Sequence, residues 1–202
     1  MKITSLYKGL WPKMYVVLRN VILPFSKIEQ FYPKKGLIYD VGCGFGSYSI
    51  ALALGSEDRE VIGLELSKER VKKANATASK INNVRFEVRD LRKDSGLRDC
   101  DCISLVDLLH HVPHETQKEI IQECYRTLKK GGILLIKDIG DRPRWKYLYN
   151  YFHDRVIMRN RELFFIKPAK LREMCQEAGF RVVIRRIKHW TPFPHVMFVC
   201  SK

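Results

Sequence analysis

Residues Asp40-Val41-Gly42-Cys43-Gly44-Phe45-Gly46 constrain this chain more than any other stretch. They follow the apolar run Leu37-Ile38-Tyr39 and precede Ser47-Tyr48-Ser49-Ile50-Ala51-Leu52-Ala53-Leu54. By period, the first run is a buried strand and the second an apolar helix. The glycines therefore make a strand-to-helix turn, where positive φ is tolerated and a ligand can approach bare backbone. A dinucleotide-binding turn spaces its glycines G-x-G-x-x-G and faces a pyrophosphate with helix-terminal N–H groups. Here the third glycine arrives one residue early. Asp40 stands at the entrance, where a carboxylate repels phosphate and welcomes a cation.

Further along, residues 60–65 read as a second strand ending in Glu65, with Ser67 as the N-cap of a helix running to about Lys80. An acid at the tip of a second strand is where folds of this kind hold ribose hydroxyls, and accepting two hydroxyls at once calls for a carboxylate. Residues 83–88 alternate as a third strand leading into Arg89-Asp90-Leu91. Residues 102–106 form a fourth, running into Asp107-Leu108-Leu109-His110-His111-Val112-Pro113. A helix from about His114 to Lys129 meets Gly131-Gly132, a helix stop, before a fifth strand over 133–137. A helix over 169–178 stops at Gly179, and strands over 181–184 and 195–199 close the chain. Strands alternating with helices and ending in two strands predict an α/β fold with a mostly parallel seven-stranded sheet and a reversed terminal strand.

Taken in order over residues 37–139, these motifs resemble the class I methyltransferases that use S-adenosylmethionine (SAM). The turn is similar to motif I of that family. The phrase over 107–113 resembles the Leu-His-His-Val-Pro segment of small-molecule methyltransferases, quinone-biosynthesis enzymes among them. The resemblance implies a single-domain Rossmann-like fold and SAM as cofactor. It places Asp40, Gly42, Cys43, Gly44 and Gly46 at the turn, and Glu65 with Leu66 at the ribose. Asp90 would accept from the adenine amine with Leu91 against the ring, and Val106 and Asp107 would border the cofactor past the fourth strand. The domain spans 37–202, with a helical arm over 1–36 as a lid and an acceptor-side insertion over 140–167.

Methyl transfer is an in-line displacement, so the enzyme aligns a nucleophile about 3–3.5 Å from the methyl carbon and manages its proton. His110 is the leading base: it follows the fourth strand where acceptors meet the cofactor, and imidazole titrates near neutrality. His153, in the insertion, is a further candidate, as is His195, while His111 reads as a loop-orienting residue. Asp107 matches a position that binds Mg²⁺ in related catechol enzymes, but partner carboxylates are not evident, and no metal is expected. The reading is an enzyme directed at oxygen of a small or lipid-like acceptor, free or carrier-bound. Nucleic acid is the rival partner, since basic and aromatic residues interleave over 140–167. Against it, the phrase after the fourth strand lacks the two prolines of base-amine methyltransferases, no Pro-Cys dipeptide exists, and Lys137-Asp138 supplies half of a Lys-Asp-Lys-Glu ribose set. A SAM-binding protein without catalysis is a third class, disfavoured by the intact acid at each cofactor position.

The net charge of +15 is unevenly spread. Residues 1–36 hold seven Lys/Arg against one acid, residues 37–140 hold sixteen of each, and residues 141–202 hold fourteen against five. All the excess lies in the flanks, which predicts an anionic acceptor, carrier or surface beside the solubility that charge confers. Within the first flank, a helix begins at Trp11-Pro12-Lys13, with a proline early in its first turn. Its run of Met14, Tyr15, Val17, Leu18, Val21 and Ile22 leaves a narrow polar stripe and calls for cover, by the active site or by a membrane interface. Arg19, Asn20 and Pro24 interrupt the apolar run, which is too short to span a bilayer and does not read as a secretory leader. The six cysteines show no paired metal spacing and read as reduced thiols of a cytoplasmic protein.

Overall fold

The computed structural model describes residues 6–7, 10–23, 25–91, 97, 99–140, 143 and 163–202. Two helices, α1 (Leu10–Ile22) and α2 (Phe25–Glu29), lead into β1 (Gly36–Val41). Then follow α3 (Ser47–Leu54), β2 (Arg59–Glu65), α4 (Lys68–Thr77), β3 (Val84–Val88) and β4 (Cys100–Val106). A short 3-10 turn over Leu109–His111 precedes α5 (His114–Thr127), β5 (Leu128–Ile139), α6 (Pro168–Glu177), β6 (Arg181–Ile187) and β7 (His195–Ser201).

The strands form one seven-stranded sheet in the order β3-β2-β1-β4-β5-β7-β6. Neighbours from β3 through β5 are parallel, and β7 runs antiparallel to both β5 and β6. The near-continuous apolar character of β1, β2 and β4 follows from burial of both faces, as in parallel sheets covered by helices on either side. One face packs Ile120, Ile121 and Cys124 of α5 and Leu171 and Cys175 of α6 against the sheet. The other packs Ile50 and Leu52 of α3, Val71 and Ala74 of α4, and Val16 and Ile28 of the arm. The chain starts at β1, winds outward to β3, then crosses back to β4. The strand order reverses between β1 and β4, and a crevice opens beyond the carboxyl ends of the strands at such a point.

Several boundaries differ from the sequence reading, β6 running on to Ile187 among them. The helix expected to reach Lys129 ends at Thr127, and β5 already begins at Leu128. Leu128 is 1% exposed and pairs with Cys100, so its burial draws the chain into the sheet. The register then slips, because Cys102 pairs with Ile133. Gly131, at φ 80°, lies inside this bulge instead of stopping a helix. The helix expected to reach Lys80 ends at Thr77.

The arm is pinned by one buried cation. Arg59 is 1% exposed; its Nε donates to the Pro33 carbonyl (2.7 Å), Nη1 to that of Leu52 (2.8 Å) and Nη2 to Glu29 Oε1 (2.7 Å). Burial opposes ionisation of Glu29, but hydrogen bonds from Lys34 and Arg59 outweigh it and hold the carboxyl below its usual range. No described helix is long and apolar enough to cross a membrane. All six cysteines are buried as thiols, and burial pushes that of Cys100 up to about 12.

Candidate functional site

Gly42, Gly44 and Gly46 all take left-handed backbone, with φ of 75°, 59° and 77°. At Gly46 a Cβ would come within 2.4 Å of the Phe86 ring, so the turn is closed to side chains by sterics as well as by φ. The turn is tied to β2: Gly42 and Cys43 donate their N–H groups to the Leu64 carbonyl at 2.8 and 3.1 Å. Glu65 then locks it. Its Oε2 accepts from Gly44 N (3.0 Å) and its Oε1 from Ser67 N (3.0 Å), so the carboxylate is fixed before any ligand arrives.

A cavity of about 290 Å³ opens at the carboxyl ends of β1, β2 and β4. Of the residues singled out from sequence, Gly42, Gly44, Glu65 and Leu66 line it on one side. Asp90, Leu91, Val106 and Asp107 line it on the others. Asp40 does not. It is 2% exposed, and its carboxylate accepts from Ser49 Oγ (2.6 Å) and Ser104 Oγ (2.9 Å), which ties β1 to α3 and β4 beneath the turn. Cys43 is buried, with Sγ 3.9 Å from the Gly44 carbonyl, and Gly46 shapes the turn from below. His153 lies outside the described residues, as does most of the 140–167 insertion.

The post-strand histidines take different positions. His111, read as a loop residue, lines the cavity. His110 is 4% exposed and sits behind it, the two rings 4.0 Å apart between centroids. His110 Nδ1 lies 2.6 Å from Asp138 Oδ1, and the ring stacks on Phe165 at 5.5 Å. Asp138 Oδ1 also accepts from Ile139 N (2.7 Å), while its buried Oδ2 has no hydrogen-bond partner among the described residues. Gln117, fully buried, holds the turn over Leu109–His111 from α5: its Nε2 donates toward the carbonyls of Leu109, Val112 and Phe164 at 2.9–3.0 Å.

Lys137 and Asp138 are the residues the sequence reading set aside. Lys137 is 3% exposed and pairs with Asp107 Oδ1, whose backbone stands at φ 53° in the left-handed region that disfavours a side chain. Their signal was present in the sequence: two adjacent charges directly after the apolar run over 133–136 require partners. Arg70, Arg89 and Leu108 also line the cavity without having been singled out for it. Among the described residues, no three His, Cys, Asp or Glu side chains cluster to hold a metal.

The donor set suits SAM. Glu65 offers two positioned carboxylate oxygens to a ribose, and Leu64, Leu66 and Leu91 with Asp90 suit an adenine. At Gly42 a Cβ would meet Leu108 Cδ1 at 2.8 Å, so the cavity wall at the turn is bare backbone.

Comparison with known proteins agrees. Residues 38–132 match the family model described as a methyltransferase domain. The carboxy-S-adenosyl-L-methionine synthase of Helicobacter pylori strain P12 is 29% identical over 186 residues, covering 82% of this chain and 76% of that protein. The ubiquinone biosynthesis O-methyltransferase of Leptothrix cholodnii is 25% identical over 182 residues, covering 84% and 75%. Among solved structures, a SAM-dependent methyltransferase of Methanosarcina mazei superposes with a TM-score of 0.70 at 20% identity, over 89% of this chain and 97% of that one. An O-methyltransferase family protein of Burkholderia thailandensis gives 0.75 at 18%, over 93% and 57%. The chain carries a class I SAM-dependent methyltransferase domain and is an enzyme of that family, with SAM as its cosubstrate.

Proposed function

We propose that this enzyme methylates an oxygen of a small or lipid-like acceptor, with His110 as general base and Asp138 as the residue that orients it. The observation carrying this reading is the 2.6 Å contact between His110 Nδ1 and Asp138 Oδ1, both side chains almost wholly buried, directly behind the cavity wall. When bound, the cosubstrate supplies an electrophilic methyl carbon on a sulfonium. Asp138, a carboxylate, takes the Nδ1 proton as a hydrogen bond, which leaves Nε2 as the basic nitrogen and fixes the ring plane. His110 accepts the hydroxyl proton as the new oxygen–carbon bond forms and the carbon–sulfur pair returns to sulfur. The resulting imidazolium is stabilised by the same carboxylate. Glu65 holds the ribose end, and Lys137 keeps the Asp107 carboxylate in its left-handed turn at the wall.

A second reading is favoured by one observation, the 29% identity to a carboxy-SAM synthase. In that case the methyl carbon would stay on sulfur, lose a proton to a base and form a carbon–carbon bond to the carboxyl carbon given up by a second, carboxylic-acid substrate. Incubation with methyl-labelled SAM and fractionated cell extract separates the two. Label in an acceptor together with S-adenosylhomocysteine supports transfer. Label retained in a heavier SAM derivative, identified by mass, overturns it. Label in RNA would revive the nucleic-acid reading.

A further inference from the structure

On α1, Met14, Val17, Leu18 and Val21 recur at helical spacing and are 49%, 48%, 53% and 43% exposed. Val16, off that stripe, is fully buried in the core together with Leu23 just past the helix. The helix is thus committed on one side and presents four large apolar side chains on another. A second exposed apolar group lies in a connection that the arm contacts. Trp190 is 78% exposed in the connection between β6 and β7, and Lys27 Nζ of α2 donates to the Lys188 carbonyl of that same connection (2.6 Å). Lys13 and Lys27 of the two arm helices, and Arg185 and Lys188 at the end of β6 and just past it, are exposed. Glu29, the single acid of the first 36 residues, is already engaged by Arg59 and Lys34.

We infer that this face docks on an anionic lipid surface, with the α1 stripe and Trp190 entering the headgroup boundary and the surrounding lysines and arginines meeting lipid phosphates and carboxylates. Apolar stripe, interfacial tryptophan and flanking cations are the features that hold a helix in the plane of a membrane interface. Charge selects among the occupants. A second copy of a chain at +15 would bring like-charged arms together, whereas an anionic leaflet attracts each nearby Lys or Arg. Docking would also set the active site beside the lipid, because Tyr7, just before α1, donates its hydroxyl to the Phe45 carbonyl in the glycine turn (3.0 Å). The inference does not depend on the reaction proposed above, since it is read from protein on vesicles without cosubstrate.

The test is sedimentation of the full chain with equimolar phosphatidylcholine–phosphatidylserine vesicles, against vesicles of phosphatidylcholine alone. Binding should favour the anionic vesicles by roughly tenfold or more and weaken as salt shortens the Debye length to about 3 Å at 1 M. Leu18→Glu with Val21→Glu should reduce binding by roughly tenfold or more, and Trp190→Ala by less. Thermal unfolding and SAM binding should stay near wild type, because these side chains are exposed. Equal binding to both vesicle types, or undiminished binding of the double variant, overturns the inference. So does a concentration-dependent dimer in analytical ultracentrifugation that the double variant abolishes, which would assign the stripe to a self-contact.

Discussion

Along the β1–β2 side of the cavity the fixed points are backbone groups; along the β4–β5 side they are charged side chains. On the first side, Glu65 is gripped by the N–H groups of Gly44 and Ser67, and three left-handed glycines bring bare main chain to the wall. On the second, Lys137 pairs with Asp107 and Asp138 with His110, all but Asp107 nearly wholly buried. Backbone anchors cannot titrate and barely move, which suits recognition of one unchanging ligand. Side-chain pairs can exchange protons and can be replaced singly, which suits chemistry and a changeable acceptor. The contrast predicts that damage on the first side appears in binding and damage on the second in turnover.

The largest effect should come from His110→Ala, lowering turnover by about 10²–10⁴-fold while calorimetric SAM affinity stays near wild type. A comparable loss of affinity would erase the contrast, return His110 to a packing role and move the base to His153. Asp138→Asn preserves shape and should lower kcat by less than His110→Ala does, with KM for SAM unchanged. Loss of the neighbouring carboxylate lowers the imidazole's proton affinity, so the limb of the pH–rate profile reporting His110 should move to lower pH. An unmoved limb would remove Asp138 from its orienting role.

On the opposite side, Glu65→Ala should cost about 1–3 kcal/mol of SAM affinity, read by calorimetry, because Gly44 and Ser67 lose their shared acceptor along with the ligand. Unchanged affinity would sink the ribose assignment. A smaller effect is expected from a region outside both sides. Glu29 has a depressed carboxyl, so the stability it adds is present above the ordinary carboxylate pKa and is lost as pH falls through the lower folded value. Glu29→Gln should lower the urea unfolding free energy by about 2 kcal/mol at neutral pH, since Arg59 keeps its two carbonyl partners. That deficit should shrink as acid protonates the wild-type side chain. A deficit independent of pH would assign it to packing.

The β1–β2 side was legible in the sequence because its determinants are local. A glycine turn and a strand-end acid are read from neighbouring residues, and both stand where the spacing placed them. The β4–β5 side was only half legible. His110 could be found, yet its partner lies 28 residues away in sequence, and only the parallel register of β4 with β5 brings the two together. Asp40 misled for a similar reason. It stands at the turn entrance in sequence, but Ser104 is its register partner across the sheet and holds one of its oxygens below the cavity. Gly131-Gly132 carries the same local signature as a helix stop and as a bulge; burial of Leu128 in the sheet decides between them. The seven strands and the reversed one were anticipated. That β7 lies between β5 and β6 is a matter of long-range pairing, which no local period encodes.

That placement has a consequence for how the protein is made. β7 leaves the ribosome after β6, yet it is the strand to which β6 pairs and the one that covers the edge of β5. While His195–Ser201 is still in the exit tunnel, β5 is left as an uncovered edge and β6 has no neighbour. Such edges invite pairing with other chains. A stop codon just ahead of His195 would therefore remove an inner stave and detach β6 from the sheet, whereas the same number of residues lost from a peripheral strand would only trim its fringe.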